Sequence, residues 1–268
     1  MSGFETFRAL HAGGLLILPN AWDGASAALS VAAGARAVAT TSAGVAWALG
    51  WPDGAAPPRA DLLSALERIV RASGGAPVSA DVEGGFSDEP SEAAGFVRRV
   101  VETGCVGVNI EDADGSAEAL ADKIAAVRAA VGADLFINAR CDLWLRGIGP
   151  VEGRLEEAVR RAALYRAAGA DGLFMPGVVE AGTITALVDL GAPLNLLARS
   201  GLADAAALEA LGVRRLSAGS NIAAAAYGTA DRLTRAFLAD GGSAGQAAEA
   251  MDYGTLNGLM ARAAGVAA

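Results

Sequence analysis

A chain of 268 residues, 53% of them apolar, is long enough for one large domain with a sizeable core. Its net charge of −9 argues against nucleic acid and anionic membranes as partners, although local arginines or a metal can still draw an anionic substrate into a cleft. A single histidine, His11, excludes a metal site built from several histidines, and a single lysine, Lys123, placed well inside a helix, nearly excludes Schiff-base chemistry.

Residues 2–12 predict a short leading helix that holds His11 as a surface or packing residue. Eight apolar, strand-like runs follow at 15–22, 37–44, 77–85, 107–112, 135–142, 172–177, 194–199 and 215–220. Nearly every run ends in a polar or acidic residue and is followed by an Ala-, Leu- and Arg-rich stretch of helical periodicity. Eight such units in about 250 residues predict an α/β fold, a (β/α)8 TIM barrel, as one domain over 1–268. The first helix is expected at 24–33, the third from Ser91 with Ser91 as its cap, and the fourth after Ser116. The connection 45–58 is longer than an ordinary strand-to-helix loop, and such loops are commonly functional. Residues 222–238 predict the last barrel helix, and 240–268 a C-terminal helical extension with one further helix near 245–263.

Cys105 and Cys141 fall in or beside core strands and read as buried, reduced thiols. The N-terminus lacks the pattern of a signal peptide, and no run is apolar enough to span a membrane, so a cytoplasmic enzyme is expected. Chemistry in such a barrel sits where the strands end. Strand alternation places Asp81 with Glu83, Asn109 with Glu111, and Asn138 with Arg140 and Asp142, each set on one face. Asp81, Glu83, Glu111 and Arg140 thereby meet at one mouth. Clustered carboxylates repel one another, and a hard divalent cation, Mg2+ or Mn2+, offsets that cost; the alternative is a salt-bridge network with Arg140. Thr41, Ser42 and Ala43 form a small-residue turn whose backbone N–H groups suit a carboxylate or enolate oxygen, and Asp53 suits a general base or an ordinary turn residue.

Five segments carry a further signal. They are Pro19-Asn20-Ala21-Trp22-Asp23, Thr41-Ser42-Ala43-Gly44-Val45-Ala46 with Leu49-Gly50-Trp51-Pro52-Asp53, Ser79-Ala80-Asp81-Val82-Glu83-Gly84-Gly85, Val108-Asn109-Ile110-Glu111-Asp112 and Asn138-Ala139-Arg140-Cys141-Asp142. In this order they resemble the isocitrate lyase/phosphoenolpyruvate mutase superfamily over essentially the whole barrel. The resemblance implies a Mg2+-dependent lyase acting on a small α-oxo or α-hydroxy carboxylate through an enolate-like intermediate. Alternatives are a phosphonopyruvate-type P–C mutase, an oxaloacetate-type C–C hydrolase, or a metabolite-binding barrel without catalysis. It further implies Asp81, Glu83 and Glu111 as metal-shell acids, and Thr41, Ser42, Ala43, Arg140 and Asn195 as substrate-binding residues. Asp53, Arg140 and Glu111 are implied in catalysis, and terminal helices exchanged between subunits imply a homo-oligomer, dimer or tetramer. Two departures stand out. The Lys-Lys-Cys-Gly-His segment of the family's C–C lyases is absent after Glu111-Asp112, and Glu83 replaces the commoner aspartate.

Overall fold

The computed structural model describes residues 1–55 and 57–266. Helix α1 (Gly3–Leu10) opens on a reciprocal cap: the Glu5 N–H donates to Ser2 Oγ (3.2 Å) and the Ser2 N–H to Glu5 Oε2 (2.7 Å). Its buried face, Phe4, Phe7 and Leu10, plugs the end of the barrel where the strands begin. His11 follows as a packing residue, stacked on Phe136 (4.2 Å between centroids), with Nδ1 2.8 Å from the Phe7 carbonyl oxygen. Burial pushes its pKa down to about 4, so it is neutral at ordinary pH.

The strands are β1 (Leu16–Leu18), β2 (Asn20–Ala21), β3 (Val38–Thr40), β4 (Val78–Asp81), β5 (Gly107–Glu111), β6 (Phe136–Arg140), β7 (Gly172–Phe174), β8 (Leu194–Leu197) and β9 (Arg215–Ser217). All pairings are parallel, in the order β1-β9-β8-β7-β6-β5-β4-β3-β2. The first predicted run is thus split in two at Pro19, which has no N–H to give to a ladder. Its first half pairs with β9 (Leu16↔Arg215) and its second with β3 (Asn20↔Ala39), so nine short strands fill eight barrel positions. The Asn20 side chain spans this seam: Nδ2 donates to the Thr40 carbonyl (2.8 Å) and Oδ1 accepts from the Gly219 N–H (2.9 Å).

Eight helices follow strands around the barrel: α2 (Gly24–Ala32), α3 (Ser42–Ala48), α4 (Arg59–Ala72), α5 (Pro90–Glu102), α6 (Ala117–Val131), α7 (Arg154–Ala167), α8 (Ala181–Val188) and α9 (Ala205–Ala210). Ser116 caps α6 as expected, accepting from the Ala119 N–H (3.1 Å). Ser91 does not cap α5. That helix starts one residue earlier at Pro90, whose fixed φ suits a first helical position, and Ser91 lies inside its first turn. Outward-facing strand residues such as Val108, Ile110, Ile137 and Ala139 bury fully against Leu120, Ile124 and Val127 of α6 and their neighbours. The inward-facing residues of the same strands, Asn109, Glu111, Asn138 and Arg140, are polar.

The C-terminal end departs from expectation. Helix α10 (Asn221–Asp240) forms, but of its residues only Ala223 is buried. It therefore does not cover β1, where Ile17 is left 59% exposed beside an open groove of about 480 Å³ lined by Pro19, Leu29, Ala33 and Ile222. The predicted tail helix is two helices, α11 (Ala244–Glu249) and α12 (Tyr253–Ala264), the second capped by Asp252. Helix α12 folds back on α2 and α4, with Met260 and Ala263 packed against the core. Among the described residues, no helix is long and apolar enough to cross a membrane.

The plug leaves no spare room at β5. A Cβ on Gly107 would meet Phe7 Cε1 at 2.8 Å, Ser79 Oγ at 3.2 Å and the Phe136 carbonyl oxygen at 3.3 Å. Gly107→Ala is expected to destabilise the fold by about 1–3 kcal/mol in urea titrations. An unchanged midpoint would mean that α1 shifts freely on the barrel.

Candidate active site

At the C-terminal ends of the strands lies a cavity of about 200 Å³ whose walls include Thr41, Ser42, Ala43, Asp53, Asp81 and Arg140. Asp81 is the last residue of β4. Its N–H donates to Thr40 Oγ1 (2.8 Å), and its carboxylate accepts from Ser42 Oγ and from the Glu83 N–H, both at 3.3 Å. Thr41 to Gly44 is not a free turn but the start of α3. Thr41 is the N-cap, and the Gly44 N–H donates to its Oγ1 (3.4 Å). The 45–58 connection is thereby shortened, since α3 runs to Ala48 and α4 starts at Arg59. Asp53 sits on that loop, exposed at the cavity rim.

The face shared by Asp81 and Glu83 in the sequence reading does not survive as a strand. Strand β4 stops at Asp81, and Glu83 takes a left-handed conformation (φ 50°), as does Phe86 (φ 53°), around Gly84-Gly85. The turn is pinned from outside: Lys123 Nζ, reaching over from α6, donates to the Gly84 carbonyl oxygen (2.9 Å). Glu83 stays beside Asp81, half-buried. Burial pushes its pKa up to about 7, reinforced by the charges of Asp81 and Asp53.

Arg140, at the end of β6, holds the acids of the next strands. Its Nη1 is 2.6 Å from Glu111 Oε2, and its Nε and Nη2 fork onto Asp142 at 2.7 and 3.0 Å. Asp142, fully buried, also accepts from Arg146 Nε (3.2 Å), and its N–H donates to Asp112 Oδ1 (2.9 Å). Asp112 in turn accepts from Arg161 Nη1 (2.7 Å) and the Tyr165 hydroxyl (2.6 Å). The ion-pair network is therefore real, and Arg140 still lines the cavity. Burial pushes Glu111 upward against the pull of Arg140, with Asp81 and Asp142 adding to the rise. Strand alternation already places Asp142 beside Arg140. Asp112, Arg146, Arg161 and Tyr165 carry no such signal, because only the folded chain brings α7 against the end of β5.

Asn195 is not brought to the walls. It is buried on β8 below the cavity, its Oδ1 accepting from Ser217 Oγ (3.1 Å). Both cysteines are buried. Burial pushes Cys105 up to about 11 and raises Cys141 as well, the reverse of what an acid–base thiol needs.

Among the described residues, no three acids converge as a ready-made metal cage. The donors nevertheless suit Mg2+, which keeps several waters and commonly takes only one or two carboxylates directly. Asp81 lines the cavity; Glu83 and Glu111 do not, Glu83 lying with Asp81 on a smaller adjoining pocket and Glu111 behind Arg140, but all three have pKa values raised by burial, a charge excess that a cation relieves.

Residues 7–238 match the family model for phosphoenolpyruvate phosphomutase. A solved structure from Burkholderia cenocepacia, provisionally assigned as a lyase/mutase, superposes with a TM-score of 0.87 at 37% identity, covering 97% of this chain and 96% of that one. The 2-methylisocitrate lyase of Escherichia coli is 32% identical over 169 residues, 58% of this chain and 55% of that protein. A phosphonopyruvate hydrolase solved with oxalate and Mg2+ shares the fold at 23% identity, with a TM-score of 0.84 over 97% and 95% of the two chains.

The raised pKa of Glu83 has a defined sign. A carboxyl with a folded-state pKa of about 7 against an ordinary 4.5 contributes its full stability below pH 4.5 and loses it as pH rises through 7. Metal-free protein is expected to lose thermal stability over that window, and Glu83→Gln to flatten the decline. Parallel pH profiles for the two proteins would remove Glu83 as the source.

Proposed function

The chain belongs to the isocitrate lyase/phosphoenolpyruvate mutase superfamily, whose members are Mg2+-dependent lyases, mutases and hydrolases of small oxo-acids, and from that premise we propose that it is a Mg2+-dependent lyase cleaving a small α-oxo or α-hydroxy carboxylate. The observation that carries this reading is the single cavity with Asp81 on one wall, Arg140 on another and the first turn of α3 between them. Bound Mg2+ would supply Lewis-acid polarisation of the substrate's oxygens and cancel the carboxylate charge around it. Asp81 would hold it directly, with Glu83 and Glu111 acting through water. Arg140, already oriented by Asp142, offers the rest of its fork to a substrate carboxylate. The Ala43 N–H, at the start of α3, would meet the developing enolate oxygen, the Ser42 N–H being directed at Asp81. In this reading Asp53, on its loop at the rim, or a water held by the metal would move the proton.

The phosphonopyruvate hydrolase with its oxalate and Mg2+ supports the metal and the class of ligand in this reading. A screen of oxo-acids, hydroxy-acids and phosphonopyruvate with and without Mg2+ tests it. Turnover is expected only with the metal, and Asp81→Ala should abolish both that turnover and the thermal stabilisation by Mg2+. An unchanged Mg2+ titration in Asp81→Ala would overturn the metal assignment. Absence of any turnover would leave the binding-barrel alternative.

The E. coli 2-methylisocitrate lyase is a relative over little more than half of each chain. The segment from Asp112 to α6 here is Ala113-Asp114-Gly115-Ser116, without cysteine, histidine or lysine. We therefore expect no cleavage of isocitrate or 2-methylisocitrate. Robust cleavage of either, lost on thiol alkylation, would refute this.

Assembly follows from the bare flank of β1. A helix of 20 residues with one buried position, next to an uncovered barrel strand, is satisfied when α10 of a second copy lies on the groove around Ile17. Light scattering is expected to give a dimer or tetramer, and a monomeric mass would end the proposal.

A further inference from the structure

The barrel interior beneath the cavity is polar, and one cation in it has no anionic partner. Arg215, the first residue of β9, is 1% exposed. Its Nη2 donates to Asn109 Oδ1 (3.2 Å), its Nε donates to Ser217 Oγ (3.2 Å), and its Nη1 has no partner. No ion pair among the described residues includes it: Glu111 and Asp142 pair with Arg140 and Asp112 with Arg161, while Asp81 acts on it only through space. A buried guanidinium without a carboxylate is costly, and a plain plug for the barrel would be more stable as an apolar side chain.

Two details indicate what offsets that cost. First, the two side chains that Arg215 touches, Asn109 and Ser217, both line the cavity, so the guanidinium lies directly under its floor. Second, Asn109 Oδ1 is occupied from two sides, by Arg215 and by Asn138 Nδ2 (2.8 Å). The amide can therefore present only its N–H end to a ligand. Ser217 is fixed likewise: its hydroxyl receives Arg215 Nε and donates to Asn195 Oδ1 (3.1 Å).

We propose that Arg215 is a positioning residue for anion binding, which from beneath the floor turns the Asn109 N–H groups toward the cavity and supplies a fixed positive charge that favours a dianion over a monoanion. The inference rests on reading the cavity as a carboxylate site. The charge of Arg215 would add to that of the metal in drawing an anion past Asp81 on the cavity wall. Burial pushes the Arg215 pKa down to about 9, opposed by Asp81, so the group stays charged at neutral pH. Its attraction for a ligand scales with the ligand's charge, whereas a packing role would not distinguish one charge from two.

The test is calorimetric titration of oxalate (two negative charges) and oxamate (one) in saturating Mg2+, into wild-type protein, Arg215→Gln and Arg215→Lys. For Arg215→Gln the expected loss is about tenfold for oxamate and about a hundredfold for oxalate, with Arg215→Lys near wild type at pH 7. Equal losses for both anions, or no loss, overturn the inference. Should Arg215→Gln fail to fold, Arg215→Lys carries the test alone. A buried ammonium gives up its proton at lower pH than a guanidinium, so the preference for oxalate over oxamate must fall between about pH 7 and 8, below the pKa of about 9 of Arg215, in this variant and hold in wild type. Parallel profiles overturn the inference. Wild-type protein that binds neither anion overturns the carboxylate reading, and the inference with it. Binding that is unchanged in Arg215→Gln overturns the inference alone.

Discussion

The site depends on one constraint: too many carboxylates share a mouth that burial keeps dry. Arg140 is the central answer, bridging Glu111 and forking onto Asp142. Each neighbour then serves to keep that guanidinium in place. Asp142 is held by Arg146 and by Asp112, and Asp112 by Arg161 and Tyr165, so a chain of charge-assisted hydrogen bonds runs from the cavity wall out to α7. Partial satisfaction is what makes such a site useful. Asp81 is left with two weak donors, it and Glu83 both have raised pKa values, and that residual demand for positive charge is the chemical basis of a divalent-cation site.

Much of this was legible in the chain. Strand alternation correctly separated Val108, Ile110 and Ile137, which face the helices, from Asn109, Glu111 and Arg140, which face inward, because a period of two is a local property. The Ser116 cap of α6 was readable for the same reason. Misreadings occurred where a local pattern competed with the backbone. Glu83 kept the right parity for the face of Asp81, but Gly84-Gly85 turned the chain before parity could apply. Thr41 to Gly44 looked like a turn because small residues favour turns, and became a helix start because Thr41 can cap one. Pro19 gave no hint that one run would serve two partners.

What was not legible is what only closure creates. The network from Asp112 to α7, the reach of Lys123 across to Gly84, and the buried position of Arg215 under Asn109 join residues far apart in sequence. An arginine opening a strand reads as an ordinary exposed end. Its seclusion inside the barrel depends on which strand stands opposite. The bare flank of β1 is likewise invisible in composition, since α10 has the periodicity of a helix that packs and lacks only a surface to pack on.

The seam at Pro19 bears on how the protein reaches this state. Strands β1 and β9 pair across nearly the whole chain, and the Asn20–Gly219 bond that locks them joins groups 199 residues apart. Every other ladder in the barrel joins neighbouring units and pays less loop entropy to form. Closure is therefore the pairing of highest contact order in the barrel. An unclosed sheet would carry two unsatisfied edges open to pairing with another molecule. Asn20, by bonding both the Thr40 carbonyl and the Gly219 N–H, latches the seam that removes them.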